Sequence, residues 1–379
     1  MWNRRVLDRE RDVGLPQRTK ACAPRGNARI SSLPIDTHLI VERAGRWFLH
    51  SGIQSEGGGV ARYYRSDLGV YARVSTEITG YAVSFLLLLF ERTGESVYRE
   101  RALRAARFLT RTAYERKLGL FPFEHASNGD GPCGLAYFFD TGIIVRGLLK
   151  AWRATREAEF LDVAVAAGRT MMGSFCRDGV IHPVLSLPGR EPLPFEPRWS
   201  RSPGCYQLKA AMAFEELFAE TGEREFREAY DGAVDLALLD EARFLPGESD
   251  SAKVMDRLHA YLYFLEGLLP GMDREGNRAV LRAGVSRVAG YLGEIGPMFA
   301  RSDVYAQLLR VRVLSEGAGG GEWEQLAGFQ LQSEDGRVDG GFSFGRKDGV
   351  AMPYVNPVST VFAVQALVLQ QDTPAHDLI

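Results

Sequence analysis

The amino-acid sequence predicts an all-α chain of about six helical hairpins closed into a ring. Three observations lead there: one hairpin unit recurs, apolar residues keep helical spacing, and short connections alternate with long ones. No alternating run is long enough for a major sheet, although 179–187 has the pattern of a short β-hairpin.

Residues 1–34 mix arginines with acids, Pro and Gly and lack periodicity, so they are expected to form a flexible arm; an over-called start codon explains them equally well. A single domain is expected over 35–379, opening with a helix over 40–48. The glycine-rich segment 52–59 has neither a following Gly-Lys-Ser/Thr nor a GxGxxG pattern, and reads as a loop with unusual backbone angles. Three copies of the hairpin follow. An apolar helix over 76–92 is closed by Thr93-Gly94-Glu95, and Tyr98 opens its partner helix. A second helix carries Ile144, Val145, Leu148, Leu149 and Trp152 and is closed by Thr155-Arg156-Glu157, with Phe160 beyond. Asp140 or Thr141 is expected to cap it, and Gly147 to let another helix approach closely. The third copy, 203–220, is closed by Thr221-Gly222-Glu223, with Phe226 beyond. Each threonine precedes its aromatic by five residues, and positions 93, 155 and 221 are 62 and 66 residues apart. Weaker pairs follow at 252–269 with 275–294 and at 302–316 with 322–332, and a helix over 356–371 pairs with the first helix. Stacked hairpins bury apolar faces that none buries alone.

Composition narrows the function classes. A hydrophobic share of 45%, a charged share of 25% and a net charge of -2 describe a globular chain without a general pull toward nucleic acid or anionic membrane. The longest apolar run, 83–90, is too short to span a bilayer, and no secretory signal is visible. Cys22, Cys133, Cys176 and Cys205 form no CxxC pair, as expected of reduced thiols in a cytoplasmic protein. No cofactor is implied, and oligomeric state is not encoded in any visible pattern.

The long segments 114–137, 174–202, 239–253 and 333–355 all precede an inner helix. Inner helices running the same way would place these loops and six helix N-termini on one rim. Acids, Tyr and His gather there: Glu77 with Tyr81, Asp140, Tyr206, Asp256 with His259, and Tyr354. The loops add His125 beside Glu124, Trp199, Arg201 and Phe342. Carboxylates, polar groups and flat aromatic faces suit a saccharide. Each residue also has a plainer role. Glu77 and Asp140 would serve as caps, Tyr81 as core, Asp256 and His259 as an i,i+3 structural pair, and Glu124 and His125 as loop ties. Tyr261, Tyr263 and Phe264 read as core, and the five arginines between 99 and 111 as a solvated outer face.

Other chemistries find less support. Cys205, His259 and Asp256 could meet around zinc, but no spacing singles them out, and no metal site is expected. The Asp-x-Asp-Asp and Asp-Asp-x-x-Asp runs of terpenoid enzymes are absent, although Asp339-Gly340-Gly341-Phe342 echoes a terpenoid-cyclase repeat. No Gly-x-Ser-x-Gly elbow exists.

The Thr-Gly-Glu links and entries such as Asp140-Thr141-Gly142 resemble the (α/α)6-toroid superfamily of six-hairpin glycosidases, uronate lyases and epimerases, and N-acylglucosamine 2-epimerase-like proteins. The resemblance spans about 45–371 and implies a rim pocket for a small-molecule or oligosaccharide ligand. Two mechanisms follow. In glycoside hydrolysis, Asp140 and Asp256 would act as the carboxyl pair, with Glu77 as substitute. In uronate elimination or epimerisation, Tyr206, His259 and Arg201 would lead. The alternatives are a terpenoid-cyclase or prenyltransferase-like toroid enzyme, and a non-catalytic saccharide-binding or scaffold protein.

Overall fold

The computed structural model describes residues 36–125, 134–317, 319–371 and 378–379; the expected arm over 1–34 lies outside them. The repeated link works the same way in all three copies. The hydroxyls of Thr93, Thr155 and Thr221 donate to the carbonyls of Leu89, Ala151 and Leu217 at 2.8, 2.9 and 2.8 Å. The same hydroxyls accept from the N–H of Glu95, Glu157 and Glu223 at 3.2, 3.2 and 3.1 Å. Gly94, Arg156 and Gly222 take left-handed φ of 73°, 60° and 73°, which ends each helix. One side chain therefore stops a helix and aims the next.

Twelve helices result among the described residues: α1 (Thr37–His50), α2 (Thr76–Thr93), α3 (Ser96–Phe108), α4 (Phe138–Thr155), α5 (Ala158–Thr170), α6 (Leu208–Thr221), α7 (Arg224–Phe244), α8 (Ser251–Leu268), α9 (Asn277–Ile295), α10 (Ser302–Glu316), α11 (Glu322–Ala327) and α12 (Pro357–Gln371). The even-numbered helices form an inner ring in which each packs on the next, and α12 packs on α2 to close it. The odd-numbered helices lie outside, with α1 against α12. This is the (α/α)6 toroid.

Small residues set the inner spacing. A Cβ on Gly147 of α4 would stand 2.5 Å from the Gly80 carbonyl oxygen of α2, and one on Gly267 of α8 would stand 2.5 Å from the Leu208 carbonyl carbon of α6. The expected close approach at Gly147 is thus a backbone contact between α2 and α4. The outer face is tied by charge. Arg107 of α3 meets Glu157 at 3.0 Å, and Arg169 of α5 meets Glu223 at 2.7 Å, one hairpin further on. The arginines of α3 expected to be merely solvated thus include links between hairpins, each a weak surface pair.

Strands are short and sit where chain enters an inner helix. Val74–Ser75, Leu135–Tyr137 and Phe299–Arg301 lead directly into α2, α4 and α10, and Tyr354–Val355 precedes α12 by one residue. They pair antiparallel with loop segments: Val74–Ser75 with Val60–Ala61 and Glu124–His125, and Phe299–Arg301 with Gly345–Lys347. Cys176–Arg177 and Val180–Ile181 form a short hairpin that overlaps only the start of the expected 179–187, whose Val184–Ser186 strand pairs instead with Glu191–Pro192 and Leu135–Tyr137.

Several boundaries differ from the sequence reading. The second inner helix begins at Phe138 with Tyr137 as N-cap, so neither Asp140 nor Thr141 caps it; the Thr141 hydroxyl donates back to the Tyr137 carbonyl at 2.9 Å. The outer helix α7 continues to Phe244, which shortens the loop expected over 239–253. The α8 helix starts at Ser251, capped by Asp250, which places Asp256 and His259 in its second and third turns rather than at its entry. No helix of the described residues is long and apolar enough to cross a membrane.

Gly94→Ala and Gly222→Ala should each cost about 1 kcal/mol in urea unfolding, because the left-handed φ penalises any Cβ although neither site is crowded. Gly147→Ala should cost more, because α2 and α4 must separate.

Candidate active site at the mouth of the ring

Residue order along the inner helices gives the ring a top and a floor. On α8, Asp256 meets Arg301, His259 meets Gln307 of α10, Tyr263 meets Phe139 of α4, and Glu266 meets Arg310 of α10. Numbers rise downward on each helix, so the inner helices run parallel and their N-terminal ends share one mouth.

Glu77 and Asp140 sit in the first turns of the neighbouring helices α2 and α4. Neither caps. The Ser75 hydroxyl accepts from Ile78 N–H at 3.3 Å and does that work for α2. Asp140 is 0% exposed, and neither carboxyl oxygen has a hydrogen-bond partner among the described residues. Burial, and next the neighbouring Glu77 carboxyl, push its pKa well above the usual carboxylate range. Burial also raises Glu77, against the pull of Arg62. Both carboxyls are thus shifted toward the protonated form. Arg62 is engaged elsewhere: it lies 2.6 Å from Glu124 and over the Phe123 ring at 4.4 Å.

A second cluster faces them from α8 and α10. Asp256 accepts from Trp199 Nε1 at 2.6 Å through one oxygen and from Arg301 Nη1 at 2.6 Å through the other. Arg301 also forks onto Asp303 at 3.0 and 2.6 Å and stacks over Phe344 at 4.6 Å. Burial alone would raise Asp256 and Asp303, but Arg301 reverses the effect and both lie below the ordinary carboxylate value. The Asp256 side chain nevertheless keeps 41% of its surface open.

His259 has a defined tautomer. Gln307 Nε2 donates to the His259 carbonyl at 3.5 Å, which turns Gln307 Oε1 toward His259 Nδ1 at 2.7 Å. That oxygen only accepts, so Nδ1 carries the proton and Nε2 keeps its lone pair. Burial depresses the imidazole to about 4, with Asp303 opposing and Arg301 assisting. His259 is therefore neutral at pH 7.

Aromatic rings close the hollow. Tyr263 touches the His259 ring at 4.4 Å and Phe139 at 4.6 Å, and Tyr81 meets Phe362 at 5.2 Å. Trp199 stands edge-on to Tyr206 at 5.0 Å. The remaining sequence candidates occupy varied places. Tyr206 donates its hydroxyl to the Ser202 carbonyl at 3.2 Å. Arg201 pairs with Glu196 at 3.1 Å and lies 5.9 Å from the Tyr137 ring. His125 turns its ring to Phe108 of the outer helix α3 at 5.3 Å. Phe342 is 0% exposed in the core, its N–H held by Thr360 at 3.0 Å. Tyr354 lies under Arg65 at 4.8 Å and against Tyr63 at 5.3 Å. Cys205 has Asp240, Glu241 and Arg257 as its charged neighbours. Among the described residues no group of three His, Cys, Asp or Glu could hold a metal ion.

Arg301 and Gln307 were not singled out from the sequence; Tyr263 reads there as core, and Asp303 only as part of the fifth inner-helix entry, Ser302–Tyr305. A register comparison finds Asp303: it follows Ser302 as Glu77 follows Thr76, two residues into its inner helix. Nothing local marks Arg301 or Gln307, whose roles arise across helices.

One pH dependence follows. The folded chain refuses a proton that unfolded His259 accepts, so stability should fall as pH drops from 6.5 to about 4, by about 3 kcal/mol. Urea midpoints of a His259→Gln variant should be flatter across that window.

No protein-family model matches the sequence, and no curated protein sequence is similar to it. Solved structures are similar in fold. A sugar epimerase from a ruminal bacterium superposes with a TM-score of 0.66 at 11% identity, covering 88% of this chain and 100% of its own. Cellobiose 2-epimerase from Spirochaeta thermophila gives 0.61 at 15% identity, with 88% and 98% covered. An alpha-amylase from Clostridium perfringens gives 0.60 at 11% identity, with 88% and 99% covered. At these identities the likeness is one of fold: the chain has the (α/α)6 toroid of these carbohydrate-active proteins, with its acids at the inner-helix N-termini.

Proposed function

We propose that the protein is a carbohydrate-active enzyme that cleaves a glycosidic bond at the mouth of the ring. The observation that carries this reading is Asp140: a buried carboxyl, bonded to nothing among the described residues, beside Glu77. A carboxyl kept protonated near neutral pH can donate to a leaving glycosidic oxygen, and a second carboxyl can act as base or nucleophile. In this reading Asp140 is the general acid and Glu77 its partner. Asp256 is held ionised by Arg301 and positions Trp199, whose ring offers a face to a pyranose. The fold neighbours act on sugars by their names, which agrees with this ligand class.

A panel of α- and β-linked nitrophenyl glycosides and oligosaccharides tests it. Asp140→Asn should lower kcat by about 10²–10⁴ with little change in KM. The same variant should melt higher than the parent at pH 8, because it removes a carboxyl that folding keeps protonated; the gain should vanish near pH 4. An Asp140→Asn enzyme that keeps full turnover sinks the assignment.

His259 favours a second reading. A neutral imidazole with a pinned Nδ1 proton leaves Nε2 free to take a proton from a sugar carbon, as isomerisation or epimerisation requires. Deuterium from D2O would then enter a carbon-bound position of the product, and His259→Gln would abolish that exchange. Hydrolysis incorporates none.

A further inference from the structure

Below the tyrosine layer the ring holds charge that neither reading uses. Lys209 of α6, Glu266 of α8 and Arg310 of α10 are each 0% exposed. Lys209 Nζ lies 3.2 Å from one Glu266 oxygen, and Arg310 pairs with the other. Arg310 also donates to Gln365 Oε1 of α12 at 3.0 Å and lies 3.8 Å from the centre of the Phe362 ring. Arg146 of α4 joins from the side, paired with Glu216 at 2.6 Å. Two basic side chains share Glu266, and burial drives Lys209 well below its ordinary pKa.

Backbone oxygens of Leu378 and Ile379 meet these donors. Lys209 Nζ donates to the Ile379 carbonyl at 2.6 Å, and Arg146 Nη2 donates to the Leu378 carbonyl. The Ile379 N–H donates to Gln365 Oε1 at 3.0 Å, the same oxygen that Arg310 uses. The two residues keep only 8% and 6% exposure, and the Ile379 side chain joins the core. Both carbonyls and one N–H of a two-residue segment are thus satisfied by side chains that are themselves buried.

We infer that the floor of the ring is a binding site for a short apolar peptide segment, recognised through its backbone, and that Leu378–Ile379 of this chain is its occupant. The occupant bonds directly to α4, α6 and α12, and Glu266 of α8 and Arg310 of α10 hold two of those side chains from behind, so three inner helices meet at one hub. The ring gains a hydrogen-bonded link across its axis, from α6 to α12, beside the aromatic contact of α4 with α8. The inference does not depend on the reaction at the mouth.

Thermal melting tests it without a sugar substrate. Removing Leu378 and Ile379 should lower Tm by about 3 °C or more. Millimolar Leu-Ile dipeptide, added as the probe, should restore part of the loss in a saturable way. Lys209→Met in the shortened chain should abolish the response to dipeptide. A shortened chain that melts with the parent, or one the dipeptide leaves unmoved, overturns the inference. If the shortened chain does not fold, Ile379→Gly and Lys209→Met in the full chain form a double-mutant cycle. Coupled losses support the seat, and additive losses overturn it.

Discussion

Six inner helices that run the same way around a closed ring must bring six N-termini to one face. That constraint organises everything else. The N-terminal turns bring unsatisfied N–H groups and the positive ends of six dipoles into one mouth, where carboxyl groups are tolerated. Glu77, Asp140 and Asp303 occupy the first turns of α2, α4 and α10, and all three are buried. The short strands before these helices fix the angle of entry, so each acid is placed by a rigid handover from strand to helix.

The ring interior is filled in layers that differ in how charge is satisfied. At the mouth, Arg301 is shared between Asp256 and Asp303, and Arg62 is paired with Glu124. Asp140 and Glu77 occupy neighbouring first turns instead, and burial, with the neighbouring carboxyl second, favours the protonated form of Asp140. A middle layer of Tyr81, Tyr263, Phe139 and Phe362 separates this from the floor. There Glu266 balances Arg310 and Lys209 only with help from backbone oxygens. Buried ions persist where they are paired; Asp140, with neither carboxyl oxygen bonded among the described residues, is the place to look for chemistry.

The Asp339-Gly340-Gly341-Phe342 stretch shows how a motif is absorbed by structure. Asp339 binds Arg43 of α1 at 2.8 Å, Gly341 fits against Trp47, and Gln330 donates to the Ile40 carbonyl at 2.9 Å. The stretch fastens the first helix to the last and so helps close the ring.

The hairpin period, the inner and outer assignment of helices and the side on which the loops lie were legible in the sequence. They rest on local rules: the Thr-x-Glu link, apolar spacing and connection length each act within a few residues. Glu77, Asp140, His259 and Trp199 were also visible, because position at a helix entry or in a long loop is a property of chain order. What those residues are bonded to was not visible. Whether Asp140 caps a helix or stands unpartnered turned on a helix start three or four residues earlier than expected, next to the pairing of Leu135–Tyr137 with Val184–Ser186. Arg301, Gln307, Lys209 and Arg310 act on groups that are 45, 48, 170 and 44 residues away in the chain. Contacts of that range depend on ring closure and on burial, which decide both the partner of each charge and where its proton resides.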